Sequence, residues 1–282
     1  MRAALAALEK LLADRPEGPV CVLRELVHNR MVTESFEKRG VRFLSTPEEI
    51  PGGASLLIGA HGASPEQERE ARCRAVRVID TTCPLVRERQ RQAAGLSCKD
   101  TLILLGYPGH AEVSGILGRS GAGRNIVVSS ADEAAHLDPA ENPAVITQTT
   151  FDGGELERCR AILEARFPGL RFCCGVCRAS RERQRSVGEL ARRVEAVVVA
   201  GARHSSNARR LCAAAERCGA RAVLAERVAE IPPEIFSLRR VGLTAGASTP
   251  DEELDEIREA FTAAAFTTAE CGPPPTENME RR

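Results

Sequence analysis

The sequence predicts an α/β protein: three similar α/β lobes with small parallel sheets, in pseudo-threefold arrangement around a central site. Three observations carry this. Short, nearly continuous apolar runs alternate with helix-like segments along the 282 residues, the pattern of buried parallel strands joined by crossover helices. The layout repeats, and Gly62-Ala63-Ser64-Pro65 in the first round echoes Gly246-Ala247-Ser248-Thr249-Pro250 in the third. Each round also puts polar clusters in the loops after apolar strands, where open parallel sheets bind their ligands. The expected lobes are 1–86, 87–176 and 177–269. A disordered tail is expected over 270–282, where Gly272-Pro273-Pro274-Pro275 is followed by charged residues.

The elements follow in order. Leu5, Leu8, Leu11 and Leu12 sit at helical spacing in Arg2–Ala13, a helix with no capping residue before it. Val20–Leu23 reads as a strand, followed by Glu25-Leu26-Val27-His28-Asn29-Arg30 and a helix to Arg39. Ser55–Gly59 is the next strand, ending in Ala60-His61-Gly62 and a charged helix. Val76–Asp80 is a third strand; it breaks at Thr81-Thr82, and Pro84 after Cys83 suits the first position of a helix. In the second round Thr101–Leu105 leads to Gly106–Val113, and Ala144–Ile146 leads to Thr147–Thr150 and a helix over Glu155–Arg166. In the third, Ala196–Ala200 leads to His204–Asn207 and a helix through Ala215. Arg240–Leu243 then leads to the loop Thr244–Pro250 and the acidic helix Asp251–Ala264.

Composition removes several function classes. Lys+Arg and Asp+Glu both number 39, and there is one tyrosine and no tryptophan. Nucleic-acid and acidic-membrane partners are disfavoured by that balance and by the scarcity of stacking surfaces. No apolar run approaches the ~20 residues that span a bilayer. Arg2, Glu9 and Lys10 interrupt the first apolar stretch, unlike a signal peptide. A cytoplasmic protein with reduced thiols is expected, despite 11 cysteines.

Two of those cysteines share a setting. Cys83 and Cys177 each stand between an apolar run and a helix-like segment, at or near a helix N-cap. Backbone N–H groups and the helix dipole there favour a thiolate, the form that binds metal or attacks. Cys174-Gly175-Val176-Cys177 has C-x-x-C spacing, a weak signal alone. His28, Asn29, His61, His110, Ser205, Ser206, Asn207 and Ser248 all fall in strand-to-helix loops. Neutral donors at helix N-termini hold a phosphate or diphosphate without a basic cluster; taken singly, Ser and Asn in such places serve as N-caps. His110-Ala111-Glu112 is the best acid/base pair, because histidine titrates near neutrality and a partly buried Glu keeps its proton. His136 reads as a solvated helix residue without a role.

Seven of these stretches carry a family resemblance. Glu25–Arg30, Ala60-His61-Gly62, Asp80-Thr81-Thr82-Cys83-Pro84-Leu85-Val86, Gly109-His110-Ala111-Glu112-Val113, Thr147–Thr150, Ser205-Ser206-Asn207 and Thr244–Ser248 resemble the 4-hydroxy-3-methylbut-2-enyl diphosphate reductase (IspH/LytB) family. They occur in the family's order and cover nearly the whole chain. The resemblance implies a three-lobed fold around a [4Fe-4S] cluster and reductive removal of an allylic hydroxyl, giving isopentenyl and dimethylallyl diphosphate. It implies Cys83 and Cys177 as cluster ligands. Substrate and diphosphate contacts would be His28, His61, His110, Thr149, Ser180, Ser205, Ser206, Asn207 and Ser248. It implies Glu112 as proton donor, with His110 and Thr149 beside it, and an electron donor such as ferredoxin or flavodoxin.

The resemblance also has edges. The family's third cluster cysteine, in a Cys-x-Gly-Val segment before the opening helix, has no counterpart in this chain. An N-terminally truncated or a divergent member is expected, lacking the family's first strand. After Cys83 and Cys177 the family's helix sequences differ from Arg87-Glu88-Arg89-Gln90 and Ser180-Arg181-Glu182-Arg183-Gln184. A cluster-free paralogue that binds a prenyl diphosphate without turnover is the alternative reading. Another diphosphate-using α/β enzyme, such as a transferase, is more distant.

Overall fold

The computed structural model describes residues 2–27 and 29–270. Its elements run α1 (Arg2–Ala13), β1 (Val20–Leu23), α2 (Arg30–Lys38), β2 (Arg42–Leu44), β3 (Ser55–Ile58), α3 (Pro65–Arg74), β4 (Arg77–Asp80) and α4 (Pro84–Ala94). They continue with β5 (Thr101–Leu105), α5 (Ala111–Leu117), β6 (Arg124–Val128), α6 (Ala131–Ala135), β7 (Pro143–Thr147), α7 (Gly153–Arg166) and β8 (Arg171–Phe172). The last are α8 (Arg178–Ala191), β9 (Ala196–Ala200), α9 (Ser206–Arg217), β10 (Arg221–Ala225), β11 (Val241–Ala245) and α10 (Asp251–Glu270). Of the expected tail, Glu270 ends α10, and 271–282 lie outside the described residues.

The strands form three parallel sheets, ordered β2-β1-β3-β4, β6-β5-β7-β8 and β10-β9-β11. Each sheet has apolar packing on both faces, which is why its inner strands are apolar without a break. Ile103 and Leu105 join one core cluster, and Leu102 and Leu104 the one on the opposite face. Leu57 faces one side of the first sheet, and Leu56 and Ile58 the other. Val197 and Val199 alternate in the same way with Ala196, Val198 and Ala200. Four strands that the apolar pattern does not announce, β2, β6, β8 and β10, are all edges. An edge strand packs on fewer neighbours, so Arg42, Arg124, Arg171 and Arg221 are tolerated in them.

The turn from strand to helix aims the polar loops. Asn29, Ser64, His110, Asp152, Cys177 and Ser205 each cap the helix that follows, the side chain accepting an amide of the first turn. Cys83 is the N-cap of α4, without a side-chain bond and with Pro84 at N1. The N-termini thus gather at the carboxyl ends of the strands. Side chains tie the lobes there: Asn29 Nδ2 donates to Glu253 Oε1 at 2.8 Å, and Arg119 Nη1 to Ala63 O at 2.7 Å. Arg217 pairs with Asp152 at 2.8 Å.

Gly62, at φ +76°, forms the turn after His61. A Cβ there would meet Gln90 Nε2 at 3.0 Å and Thr82 Cγ2 at 3.1 Å. Gly62→Ala should therefore destabilise the protein by roughly 1–2 kcal/mol for the left-handed backbone alone, measured by urea denaturation. An unchanged midpoint would show that the loop relaxes freely.

Candidate active site

Loops from all three sheets meet around a cavity of about 470 Å³. Arg24, Glu25 and His61 come from the first, Tyr107 to Ala111 from the second, and His204, Ser206 and Arg209 from the third. The His61 and His110 rings meet edge to face, centroids 5.2 Å apart. His110 Nδ1 accepts the Glu112 amide at 3.1 Å. That bond leaves Nε2 to carry the proton of the neutral ring. His204 Nε2 lies 2.9 Å from Glu25 Oε2, joining the third lobe to the first at the rim.

Beneath His110 lies Glu112, with no exposed surface. Its Oε1 accepts the Thr149 amide at 2.7 Å, and Oε2 bonds Thr149 Oγ1 at 2.8 Å. Burial pushes its carboxyl up to about 7, against the opposing pull of the two Thr149 bonds and the Arg89 charge. Near neutral pH this group gives and takes a proton. Neither Glu112 nor Thr149, which is 7% exposed, lines the cavity; Ala111, next to Glu112 in the chain, does.

From Thr149 the network runs on. Its carbonyl accepts the Cys177 amide at 3.1 Å. Cys177 Sγ accepts the Ser180 amide at 3.3 Å and lies 3.1 Å from Ser180 Oγ. Thr150 Oγ1 reaches Ser206 Oγ at 3.3 Å and accepts from Gln148 Nε2 at 3.1 Å. Cys83 is anchored on the other side, its amide donating to Ala60 O at 3.0 Å, next to His61.

The sequence-derived candidates are thus distributed unevenly. His61, His110 and Ser206 share the cavity wall; Glu112, Thr149, Cys177 and Ser180 form the bonded layer behind it. Ser205, 3% exposed, caps α9 through Ala208 N. Asn207 Nδ2 is buried without a partner among the described residues. Ser248 is half-buried in the loop between β11 and α10. His28 lies outside the described residues.

Sequence reasoning missed Arg89 and Gln148. Arg89 is 6% exposed, and its Nη2 donates to Gly175 O at 2.6 Å, two residues before Cys177. It thereby ties the helix capped by Cys83 to the segment leading into Cys177. Its spacing offered a signal: Val86, Arg89, Gln90 and Ala93 form the buried face of α4. Gln148, fully buried, holds Tyr107 N at 3.0 Å and so fixes the loop that carries His110.

Two of the cysteines expected to hold a cluster therefore sit at helix N-caps flanking this network. Among the described residues no three His, Cys, Asp or Glu side chains are grouped so as to hold a metal ion. The described donor set does not complete a [4Fe-4S] site.

The family model of the LytB protein matches residues 1–262. The chain belongs to the LytB family. Among LytB relatives, the 4-hydroxy-3-methylbut-2-enyl diphosphate reductase of Paracoccus denitrificans is 35% identical over 274 residues, covering 93% of this chain and 85% of that protein. That of Neisseria meningitidis serogroup C is 34% identical over 261 residues, covering 90% and 80%. The E-1-hydroxy-2-methyl-but-2-enyl-4-diphosphate reductase structure from Plasmodium falciparum superposes with TM-score 0.83 at 26% identity, over 96% of this chain and 84% of that one. A second LytB structure, of the (E)-4-hydroxy-3-methyl-but-2-enyl diphosphate reductase that ends the non-mevalonate pathway, gives 0.62 at 28% identity, over 92% and 93%. The three-sheet α/β architecture expected from the sequence is the family's. No helix among the described residues is long and apolar enough to cross a membrane.

The raised Glu112 has a consequence for stability. Its carboxyl titrates near 4.5 when unfolded and about 7 in the fold. Between those values the unfolded chain loses the proton and the folded one keeps it, so stability falls as pH rises through that window. The full difference corresponds to about 3 kcal/mol. Glu112→Gln removes the effect. The stability of this variant relative to wild type, measured by denaturant titration, should rise from pH 5 to pH 8; a difference flat with pH would mean that Glu112 ionises in the fold as freely as in the unfolded chain.

Proposed function

We propose that this chain is a reductase of isoprenoid precursor biosynthesis in the non-mevalonate pathway, removing the hydroxyl of 4-hydroxy-3-methylbut-2-enyl diphosphate. The substrate takes up two electrons and two protons and yields water with isopentenyl or dimethylallyl diphosphate. The observation that carries the chemistry is the buried Glu112–Thr149 pair directly behind the histidine-lined cavity.

The diphosphate is assigned to the cavity that the three lobes share. His61, His110 and Ser206 supply donors, and Arg24 and Arg209 add positive charge at its wall. Ser205, Asn207, Ser248 and His28 are assigned to the same ligand on the family resemblance, and Ser180 to the wall beside Cys177. The unpartnered Asn207 Nδ2 suits that role, because an amide donor buried without a partner costs about 1–3 kcal/mol until something accepts from it.

The leaving hydroxyl is assigned to the side of Thr149. When Glu112 carries its proton on Oε2, the 2.8 Å bond to Thr149 Oγ1 reverses direction, and the threonine hydroxyl passes a proton outward. Burial raises the Glu112 carboxyl to about 7, so a large share of it still carries a proton near neutral pH, and loss of that proton leaves a carboxylate that the Thr149 bonds and Arg89 stabilise. His110 orients the first turn that holds Glu112 through its Nδ1, and its ring borders the cavity. The family's [4Fe-4S] cluster would supply electrons, with Cys83 and Cys177 as its assigned thiols; because the described donors stop there, the steps above use the chain's own side chains alone. The external electron source is a carrier such as ferredoxin or flavodoxin.

Glu112→Gln should lower kcat by about 10²–10⁴ with reduced viologen as electron source, while substrate Kd stays within about threefold. An equal loss of both would make Glu112 a binding residue and remove the proton-donor role. Protein purified without oxygen should be brown, and Cys83→Ser or Cys177→Ser should each bleach it. A colourless wild-type protein that still binds the diphosphate would replace the reductase with a binding protein.

A further inference from the structure

The first turn of α10 carries three acids, Asp251, Glu252 and Glu253. Acids favour that end of a helix for its dipole, and they gain this while still solvated. Asp251 and Glu252 are exposed in that way, but Glu253 is only 4% exposed. Its Oε1 accepts Asn29 Nδ2, also 4% exposed, at 2.8 Å. Its Oε2 is buried without a partner among the described residues. Burying a carboxyl costs solvation that a surface acid keeps, so this position is explained by what it bonds and not by the helix dipole.

Each partner is fixed from its own lobe. Asn29 Oδ1 accepts the Val32 amide at 2.9 Å and its carbonyl accepts Thr33 Oγ1 at 3.1 Å, so the residue is built into the start of α2. On the third lobe, Gly246 N and Thr249 Oγ1 both donate to Ala200 O, at 2.8 and 2.9 Å. They pin the loop before α10 to the end of β9. Ser248 belongs to that loop, and His28 precedes Asn29 in the chain. One buried bond therefore joins the two loop-to-helix junctions to which His28 and Ser248 belong.

The neighbouring tie is of a different kind. His204 Nε2 and Glu25 Oε2, 2.9 Å apart, also link the third lobe to the first, but their side chains are 52% and 44% exposed. Pairs that open to water contribute little. Without the Glu253 oxygen, by contrast, Asn29 Nδ2 is left buried with nothing to accept from it, and the junctions must part to let water in.

We propose that Glu253 is a positioning residue for the diphosphate: by holding Asn29 it sets the separation of the first-lobe and third-lobe segments assigned to that ligand through His28 and Ser248. This rests on the assignment of the diphosphate to the cavity that the three lobes share. Glu253 does not line that cavity, so its loss weakens binding and leaves the proton transfer at Glu112 and Thr149 as it is.

Three variants test this. Glu253→Gln keeps an acceptor for Asn29, Glu253→Leu removes it, and Asn29→Ser keeps a capping oxygen for α2 but loses the donor. Binding of inorganic diphosphate is read by isothermal titration calorimetry, and turnover of 4-hydroxy-3-methylbut-2-enyl diphosphate with reduced viologen. Glu253→Leu and Asn29→Ser should each raise the diphosphate Kd and the substrate KM about tenfold. Their kcat should stay within about twofold of wild type, and Glu253→Gln within about threefold in every reading. Asn29→Ser/Glu253→Leu should bind no more weakly than the weaker single variant, because both changes remove the same bond.

A lowered melting temperature with Kd and KM unchanged would reduce the bond to a structural tie and overturn the proposal. Additive losses in the double variant, equal losses in Glu253→Gln and Glu253→Leu, or a fall in kcat at constant KM overturn it as well. Should Glu253→Leu not fold, Asn29→Ser against Glu253→Gln gives the same decision. Wild type that binds diphosphate without turnover overturns the reductase reading alone, and the Kd comparison still decides Glu253. Wild type that binds no diphosphate overturns both.

Discussion

One carboxylic acid sits where water cannot reach it, and the surrounding structure is arranged to keep it usable. An isolated buried Glu would stay neutral far above physiological pH. Two bonds from Thr149 and the charge of Arg89 pull Glu112 back to about 7. The same Thr149 accepts the Cys177 amide through its carbonyl, so the acid and a thiol-bearing helix start share one rigid residue. His110 fixes the Glu112 amide from the other side. Proton chemistry, cavity wall and the thiol segment are therefore coupled through a handful of short bonds.

The lobes supply this arrangement by repetition. In each sheet, apolar strands buried on both faces end together, and the helices that follow start with a polar cap. No single lobe could build the cavity, because its wall needs His61 from the first, His110 from the second and Ser206 from the third. Contacts between lobes, such as Thr150 with Ser206 and His204 with Glu25, cluster at the same end. The cavity is thus a property of how three units dock.

Much of this was legible in the chain. Inner strands announce themselves because burial on two faces forces an unbroken apolar run, as in Val197-Val198-Val199. Edge strands do not: Arg221–Ala225 and Arg124–Val128 mix charge with apolar residues, and their pairing comes from the neighbour strand. The candidate residues were visible for a related reason, since polar loops between such strands stand out. Which of them share a wall and which lie behind it was not visible, because that depends on the angle at which three sheets meet. Arg89 was hidden among the charges of α4, where only the spacing to Val86 and Ala93 marks it as inward.

Arg89 shows how this chain supports its interior in its own way. A guanidinium so buried is costly unless it is paired, and among the described residues no carboxylate stands within ion-pair distance of it. It instead donates to the Gly175 carbonyl, leaving Nε without a partner. Its charge in turn acts on Glu112, as the last of the influences that pull that carboxyl down against burial. A neutral side chain at position 89 would relieve the buried charge and lose two things at once: the tie between α4 and the Cys177 segment, and the field that keeps Glu112 from holding its proton too tightly. That double dependence explains an arginine in a layer otherwise built from Val86, Gln90 and Ala93.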